Sequence, residues 1–411
     1  MITEEYLGRS RLFRRLKSGP HGRLVELYAA RLVKDGLAEH GTWRCLSVVG
    51  DLLGWIGRSR SKLSDLNEPM VERYLRYRAG KLSIQCGDRA ALKRLLSVLR
   101  DAGMIGPAAL PPITWHEQTF DEFAEYLCKE RGLTPKAIIR HLPVVRRFLH
   151  EVCPVGDLGK VSQKDVTCYV ERHARDQSAE SGKAMCWALR SFLRYLHVRG
   201  LNPHALAGCV PSIRRWKFAN LPTYLSAVQV QKVLDGCDRT TALGRRDYAV
   251  LLMLARLGLR AGEVVTLTLD DIDWRAGEML VRAKGRQRVR MPMPPDVGAA
   301  VAAYLRDDRP ISSSRHLFLR TLAPRVGFAS GGAITMIAKT ALERAGIHGY
   351  AHQGAHIFRH SLASALLRSG ATLSEIGQLL RHESHDTTRI YAKVDIEALR
   401  TLSLPWPGGA Q

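Results

Sequence analysis

The stretch AHIFRHSLASALL, residues 355–367, decides how the C-terminal half of this chain is interpreted. His356, Arg359 and His360 stand at positions i, i+3 and i+4, so they share one face of a predicted helix. A His-x-x-Arg spacing alone is more often a solvated helix face than a functional site. Its meaning therefore depends on the motifs that precede and follow it.

Two motifs follow this helix. QLLRHES, residues 378–384, places His382 in the turn after a helix whose start is marked by the capping box of Thr372 and Glu375. TTRIYAKV, residues 387–394, places Tyr391 on a short helix that we predict to start near residue 384 or 386. An isolated tyrosine in a helix is usually a core or interface side chain, so this motif is also weak by itself.

Two motifs precede the helix. ARLGLRAGEVVTL, residues 255–267, places Arg260 at a turn between two predicted helices, with Glu263 three residues later. GEMLVRAKGRQRVRMPMP, residues 277–294, predicts a hairpin of two short strands around a basic turn at Lys284, Gly285 and Arg286. The remaining pattern predicts helices at 226–236, 246–258 and 261–268, and again from Pro294 to about residue 402.

Together these residue types can cleave a phosphodiester. That reaction requires a nucleophile, neutralisation of charge on the non-bridging oxygens, and a proton for the leaving oxygen. Without a metal ion, side-chain cations must neutralise the charge, and arginine suits this role because its planar fork matches two oxygens at once. The order of arginine, hairpin lysine, His-x-x-Arg-His, histidine and tyrosine is much more specific than any single motif.

This order resembles the catalytic domain of the tyrosine recombinases, the phage-integrase family, over about residues 222–402. The family's G-L-R-x-x-E stretch appears as GLRAGE at 258–263, and its H-x-x-R-H motif appears as HIFRH at 356–360. Its L-G-H-x-S motif appears as LRHES at 380–384, where Arg381 replaces the usual glycine.

Two further residues complete the resemblance. The family's T-x-x-Y motif appears as TRIY at 388–391, and its hairpin lysine is matched by Lys284. Residues 113–205 are similar to the family's helical core-binding domain. The resemblance therefore implies a multidomain, mainly α protein whose helical DNA-binding domain is followed by an α/β catalytic domain, mostly helical with a small antiparallel sheet.

The resemblance implies a mechanism in which Tyr391 attacks the scissile phosphate and forms a 3′-phosphotyrosyl link, without metal, ATP or another cofactor. Arg260 and Arg359 would hold the non-bridging oxygens with the help of His382, and Lys284 would protonate the departing 5′ oxygen. Because an unperturbed tyrosine has a pKa of about 10, a base such as His356 is also required.

Two supporting residues complete the expected site. Glu263 is interpreted as a group that orients its neighbours. His360 is either a catalytic supporter or a packed helix residue, and we favour the second interpretation.

Other kinds of site fit the sequence less well. Gly349 and Gly354 interrupt any helix that would join His348 and His352 to His356, and no glutamate completes a zinc-protease motif. Asp270, Asp271 and Asp273 could indicate a two-metal nuclease, but aspartates at a helix-to-strand turn usually form local hydrogen bonds. We therefore predict no metal site.

Two alternative functions remain open. The chain could be a non-catalytic DNA-binding regulator on an integrase scaffold. Loss of Tyr391 or of an arginine would indicate such a protein, and the expected residues are all present. It could also relax DNA as a type IB topoisomerase, which uses the same chemistry. The core-binding-like segment and the chain after Tyr391 favour recombination. The TTRIYAKVD ending is most like that of recombinases encoded by transposons and plasmids, an analogy that favours a mobile genetic element.

The first half of the chain contains a repeat. Residues 25–57 match residues 121–153, and the later helices match at offsets between 95 and 97, so Gly36 aligns with Gly132, Tyr74 with Tyr169 and Gly103 with Gly200. Each repeat reads as about four helices with glycine at the last helix end. Agreement across three helices and their turns favours duplication of a core-binding-type domain.

The repeat and the breaks between its parts predict five segments. They are an N-terminal helical domain at 1–108, a core-binding domain at 113–207, a basic linker at 208–224, the catalytic domain at 225–402 and a tail at 403–411. The basic side chains that we expect near DNA phosphates are Arg214, Arg215 and Lys217 in the linker and Arg286 and Arg288 in the hairpin.

The charge balance agrees with a polyanionic partner. Lysine and arginine number 62 against 39 acidic residues, a formal net charge of +23. The partner expected from the resemblance is double-stranded DNA at a specific site, bound by a homo-oligomer that is a tetramer in the synaptic complex.

Cysteine usage and hydropathy indicate the cellular compartment. The eight cysteines form no close pairs, which fits a reducing bacterial cytoplasm. The first residues lack the pattern of a signal peptide, and the longest apolar stretch, near residues 248–259, contains Arg256 and is too short to span a bilayer. We therefore expect a DNA-associated protein of the cytoplasm.

Overall fold

The computed structural model describes residues 4–59, 61–81, 87–108, 114–154, 156–213, 223–282, 288–350, 354–382 and 384–394. Contacts divide the chain into two compact units, Met1–Pro107 with Asn220–Gln411, and Ala108–Ala219. Several residues singled out above lie outside the described residues: Lys284, Arg286, Arg214, Arg215, Lys217 and the tail at 403–411.

The first helical bundle comprises six helices around its own apolar core. They are α1 (Glu4–Arg9), α2 (Arg11–Lys17), α3 (Gly22–Lys34), α4 (Glu39–Arg58), α5 (Glu68–Ala79) and α6 (Asp88–Asp101). Tyr28 and Leu52 are fully buried in this core, and Asp88 is buried beside Arg44 and Arg78. Ala323, from the C-terminal part of the same unit, also packs against this core.

The second helical bundle forms the other unit, whose described residues include four α-helices. They are α7 (Trp115–Lys129), α8 (Pro135–Val152), α9 (Gln163–Ala174) and α10 (Ala179–Val198). Its core contains an aromatic group, in which Phe192 meets Phe123 and Phe148 edge to face with ring centroids 5.1 and 6.5 Å apart.

The two bundles repeat the same local details. Gly36 and Gly132 both have a positive φ, 72° and 62°, where the first long helix of each repeat has ended. The Tyr74 hydroxyl donates to the Val48 carbonyl at 3.4 Å, and the Tyr169 hydroxyl donates to the Val144 carbonyl at 3.5 Å. These carbonyls occupy aligned positions in the repeat, so the shared contacts support the duplication that the sequence predicts.

The C-terminal half from residue 223 is mostly helical. Its helices are α11 (Ala227–Asp235), α12 (Ala242–Leu257), α13 (Ala261–Thr266), α14 (Pro295–Ala303), α15 (Gly331–Arg344), α16 (Ala355–Arg368), α17 (Leu373–Leu379) and α18 (His385–Thr388). A 3₁₀ helix, Arg389–Val394, follows α18 directly and contains Tyr391.

A three-stranded antiparallel sheet lies between α13 and α14. Its strands are β1 (Ile272–Asp273), β2 (Glu278–Arg282) and β3 (Arg288–Pro292), in the order β1-β2-β3. The sequence predicts the β2-β3 hairpin, and its register pairs Leu280 with Arg290. The sequence does not predict the two-residue strand β1, because it is too short to show an alternating pattern.

Two apolar cores support the C-terminal half. The larger, which we call the main core, extends from Leu225 to Phe358 and includes α12, α15, the sheet and the start of α16. The smaller, which we call the tyrosine cluster, consists of Ala363, Ile376, Leu380 and Tyr391. Helix α16 contributes to both.

Candidate active site

The first component of the site is a tight turn between α12 and α13. Gly258 ends α12 with φ 56°, and a Cβ atom there would lie 2.6 Å from Leu380 Cδ2. Glycine is therefore needed both for the left-handed backbone and for the close packing. The turn places Arg260 at the start of α13.

Glu263 fixes the orientation of Arg260. Its carboxylate accepts hydrogen bonds from the Arg260 backbone N at 2.9 Å and from Arg260 Nη1 at 2.7 Å. The Glu263 side chain is buried, whereas 26% of the Arg260 side chain is exposed. The guanidinium is thus held from behind while one side remains accessible.

Arg359 on α16 is the more deeply buried of the two predicted arginines. It is 3% exposed and donates to the carbonyls of Gly258 and Leu380. Burial lowers its pKa to about 9, and the nearby positive charges of Arg260 and Arg381 act in the same direction. A group of cations that repel each other in a buried site is stabilised by an anion, so this arrangement favours binding of phosphate.

Tyr391 lies beside these arginines and is 1% exposed. Burial raises its pKa to about 12, although Arg359 and Arg260 oppose the increase. Its hydroxyl oxygen is 2.9 Å from His360 Nδ1. Because the phenol is neutral near pH 7, the O–H can donate to that nitrogen, which places a proton acceptor beside the phenol.

His382 also lies near Tyr391, with the two rings nearly parallel and their centroids 6.3 Å apart. Its Nδ1 is 2.7 Å from the Thr388 hydroxyl oxygen. Burial, together with the positive charges of Arg359 and Arg260, lowers the pKa of His382 to about 4. If the threonine hydroxyl donates to Nδ1, the neutral ring carries its proton on Nε2, which can then donate to a phosphate oxygen.

These residues line one cleft of about 660 Å³. Its lining includes the following predicted site residues: Arg260, His356, Arg359, His360, His382 and Tyr391. The exposed side chain of His356 reaches the cleft, but the short contact to the phenol is made by His360. The helical spacing that put both histidines on one face does not determine which of them reaches Tyr391.

Arg381 is an unexpected component behind the cleft. Among the described residues it alone combines a positive φ, 55°, with a side chain other than that of glycine. Such a backbone costs roughly 1–2 kcal/mol for an L-residue. Its side chain is 4% exposed, and its Nη2 lies 3.0 Å from Glu263 Oε2. The sequence had a signal, the departure from the family's glycine, but that signal does not show where the side chain goes.

The remaining predicted residues do not line the cleft or fall outside the description. Arg288 is exposed at the start of β3, whereas Lys284 and Arg286 are not among the described residues. The aspartates near β1 form local contacts: Asp271 accepts from Thr268 and Arg282, and Asp273 accepts from two backbone N–H groups. These contacts agree with their interpretation as turn residues.

Two properties of the described residues bear on other kinds of site. Within them, no group of three or more His, Cys, Asp or Glu side chains is arranged to hold a metal ion. Over the same ranges, no helix has the length and apolar character needed to cross a lipid bilayer.

Comparison with protein families identifies two segments of the chain. Residues 223–397 match the phage integrase family, and residues 120–200 match the N-terminal SAM-like domain of phage integrases.

Relatives extend the match along the chain. An integrase/recombinase of Sinorhizobium fredii, y4rA, is 40% identical over 403 residues, which are 96% of each chain. The tyrosine recombinase XerC of Oceanobacillus iheyensis is 30% identical over 297 residues, covering 69% of this chain and 94% of XerC.

Solved structures share the fold. The XerH site-specific recombinase, bound to a palindromic difH substrate in a post-cleavage complex, is 18% identical with a TM-score of 0.56, covering 83% of this chain and 97% of that chain. A lambda integrase dimer bound to a COC′ core site is 15% identical with a TM-score of 0.52, covering 67% and 94%.

Fold, cleft and relatives together define a class of enzyme, the tyrosine-type site-specific recombinases. Within that class, the chain belongs to the phage integrase family.

Proposed function

We propose that this protein cuts and rejoins DNA at a specific site through a covalent 3′-phosphotyrosyl intermediate formed by Tyr391. The observation that supports this most directly is the Tyr391 phenol, which lies near both His360 and His382 and beside two buried or half-buried arginines. An oxygen nucleophile, a proton acceptor and anion-binding cations thus meet in one cleft.

In the proposed chemical step, each proton and each bond change is assigned to a named group. The phenol transfers its proton to His360 and attacks phosphorus while the bond from phosphorus to the 5′ oxygen breaks. Arg260, Arg359 and His382 stabilise the charge on the non-bridging oxygens. Lys284 protonates the leaving 5′ oxygen, and a 5′ hydroxyl from another strand reverses the sequence to rejoin the DNA. The phosphotyrosyl link conserves the bond energy, so the proposed reaction needs no ATP. The side-chain cations take the place of a metal ion in neutralising the phosphate charge.

The base assignment differs from the sequence expectation, in which His356 activates the phenol and His360 is a packed residue. Because His360 Nδ1 is 2.9 Å from the Tyr391 oxygen, we propose His360 as the proton acceptor and His356 as a contact to phosphate. Glu263 remains an orienting residue, since both of its carboxylate oxygens are engaged by arginines.

Trapping on a nicked duplex tests the proposed nucleophile. The duplex would be selected from a randomised pool by its binding to the full-length protein. It would then be nicked so that the short fragment carrying the 5′ hydroxyl dissociates after cleavage and cannot be rejoined. We expect an SDS-resistant protein–DNA adduct in the presence of EDTA and its absence in Tyr391→Phe, with binding retained.

Tyr304→Phe is the matched control, because Tyr304 is also 1% exposed in the same half but lies away from the cleft. An adduct that persisted in Tyr391→Phe would refute the nucleophile. Binding without any adduct in the wild type would favour a DNA-binding regulator. Relaxation of a supercoiled plasmid without sequence preference would favour a topoisomerase.

The same proposal assigns roles to the other segments. Residues 113–207 are proposed to bind the DNA site and residues 225–402 to carry out the chemistry. The basic side chains Arg214, Arg215, Lys217, Arg286 and Arg288 are proposed to lie near phosphates. Copies of the chain are proposed to assemble on DNA, with four in the synaptic complex. Light scattering of the protein with duplexes that carry one or two sites would measure this assembly.

The first bundle, residues 1–108, is proposed to add binding energy through DNA phosphates. Its helix α2 presents Arg11, Arg14 and Arg15 at positions i, i+3 and i+4, all exposed. Replacing the three with glutamine should reduce the slope of log K against log salt by up to about 2.7, or about 0.9 for each phosphate that is no longer neutralised. An unchanged slope would show that this helix does not meet DNA.

A further inference from the structure

Arg381 lies in the turn that connects helix α17 to His382. Helix α17 ends with a bond from the His382 N–H to the Gly377 carbonyl at 3.0 Å, a pattern that places Arg381 at the left-handed position where glycine is favoured. Because arginine is strained in this conformation, the backbone does not explain why position 381 is arginine instead of glycine.

Burial does not explain Arg381 either. Its guanidinium is nearly inaccessible, and its Nε has no hydrogen-bond partner among the described residues. A buried cation with an unmet donor is unfavourable for folding. Both features reduce stability, so the compensation must come from what the guanidinium contacts.

The Arg381 contacts join three elements of the site. Its Nη1 donates to the Leu379 carbonyl at 3.0 Å and contacts Met291 Sδ on β3. Its Nη2 donates to Glu263 Oε2 at 3.0 Å, and its own carbonyl accepts from Arg260 Nη2 at 3.2 Å. Arg381 therefore holds the Arg260 turn, the sheet and the turn before His382 together.

Arg381 also changes the charge available to phosphate. Glu263 lies between Arg260 and Arg381, with Oε1 bound by the first and Oε2 by the second. With Arg359, the set carries three positive charges and one negative charge, a net +2 (3 − 1); without Arg381 it would carry +1 (2 − 1). Attack of a phenolate on a phosphodiester forms a dianion, so the additional charge interacts more strongly with the transition state than with the bound substrate.

We infer that Arg381 is a positioning residue for DNA cleavage: it neutralises Glu263 from behind, so that the charge of Arg260 is available to the scissile phosphate. Arg381 is not among the residues that line the cleft, so its proposed effect on the phosphate acts through Glu263 and Arg260. The inference rests on the proposed function, because it assigns Arg260 to the phosphate.

A double-mutant cycle of the full-length protein tests this role. The four proteins are the wild type, Arg381→Gly, Glu263→Gln and the double variant, each assayed for single-turnover adduct formation on the nicked duplex at saturating DNA. Arg381→Gly restores the residue that suits the backbone. It should nevertheless slow cleavage about tenfold, which corresponds to about 1.4 kcal/mol of transition-state stabilisation, while the Kd for the duplex changes less.

The double variant distinguishes charge neutralisation from support of the fold. If Arg381 serves to neutralise Glu263, removing the carboxylate charge makes Arg381 dispensable, and the double variant should be no slower than Glu263→Gln alone. Losses that multiply would overturn the inference, as would an unchanged rate in Arg381→Gly.

Two conservative variants control for folding. Arg381→Lys keeps the charge and should lose less rate than Arg381→Gly. Arg246→Lys changes another buried arginine with an acidic partner, Asp247, away from the cleft, and should lower the unfolding midpoint without slowing cleavage. A rate loss in Arg381→Gly that only followed the folded fraction would show a purely structural role. If the wild type formed no adduct, the proposed function itself would fail instead.

Discussion

Arg359 and Tyr391 line one cleft but belong to regions that are built differently. Arg359 follows Ile357 and Phe358 of the main core, which contains 33 buried apolar residues among those described. Tyr391 belongs to the tyrosine cluster, which contains four. Since stability scales with buried apolar surface, Arg359 rests on the more stable base, and Tyr391, the proposed nucleophile, rests on a small, separately packed segment.

This difference separates two requirements of the reaction. Stabilisation of charge depends on donors that are fixed before the substrate arrives, and the main core provides such a base. Delivery of a nucleophile tolerates adjustment when DNA binds. Helix α16 connects the two regions, because His360 follows Arg359 directly and contacts Tyr391. The following predictions are arranged from the largest expected effect to the smallest.

Substitution of Arg359 tests the part of the site that the main core supports. We expect Arg359→Ala to slow cleavage at saturating DNA by about 10²–10³-fold, the usual effect of losing one preorganised donor. Single-turnover adduct formation measures the change. Arg246→Ala, another buried arginine in the same half, is the control and should reduce stability without a comparable loss of rate. Equal losses in the two variants would contradict the assignment.

Substitution of the connecting histidine should affect proton transfer. We expect His360→Phe to slow cleavage about a hundredfold, because it removes a positioned proton acceptor while keeping an aromatic ring beside Tyr391. The pH–rate profile is the measurement, since the increase in rate that depends on a neutral histidine should disappear. His356→Phe should keep that increase. The opposite result would support His356 as the base.

A matched pair of cavity-forming variants compares the two cores directly. Ile376→Ala in the tyrosine cluster and Ile334→Ala in the main core both truncate isoleucines that are at most 1% exposed. Each should cost roughly 2–5 kcal/mol of local packing. We expect Ile376→Ala to slow cleavage about tenfold through misplacement of the phenol.

The two variants should differ in how they unfold. Hydrogen exchange should show local opening near Tyr391 in Ile376→Ala and a general loss of protection in Ile334→Ala, which should keep its rate while folded. If both variants lost global stability equally and kept their rates, the two regions would not be energetically separate.

Acidification should lower the free energy of unfolding through His382, which lies near Tyr391. The pKa of His382 is lowered from its ordinary value of 6.5 to about 4 by burial and by the arginines. Between these values the unfolded chain binds a proton that the folded chain excludes, so stability should fall as the pH falls from 6.5 to 4.

The measurement is the unfolding midpoint against pH for the wild type and for His382→Asn. The variant lacks the titrating ring and should lose less stability over this range, while its amide can still meet Thr388. Parallel curves would show that His382 does not contribute to the acid sensitivity.

Much of the fold was predictable because local signals were strong. The capping box of Thr372 and Glu375 forms as predicted, and α11 begins within one residue of its expected start. Helix α12 begins at Ala242 instead of residue 246, because the Thr241 side chain caps it by accepting from the Gly244 N–H. That signal was present in the sequence but was outweighed by the apolar pattern that starts later.

The site was less predictable where it depends on tertiary contacts. Spacing places His356 and His360 on one face, but the position of Tyr391 decides which histidine touches it. Motif matching identified Arg381 as a departure from glycine and could not show that its side chain turns inward to Glu263. Long basic side chains are usually solvated, so burial of this one requires the surrounding acid, carbonyls and sulfur, which come from three separate elements.

The burial of Tyr391 has a consequence for the rest of the genome. A strongly basic protein meets ordinary DNA far more often than it meets its own site. With the phenol 1% exposed and held by His360, such encounters present guanidinium groups to a passing backbone but no accessible attacking oxygen. If Tyr391 is the nucleophile, as proposed above, the resting position of this one side chain limits background nicking before any recognition of sequence takes place.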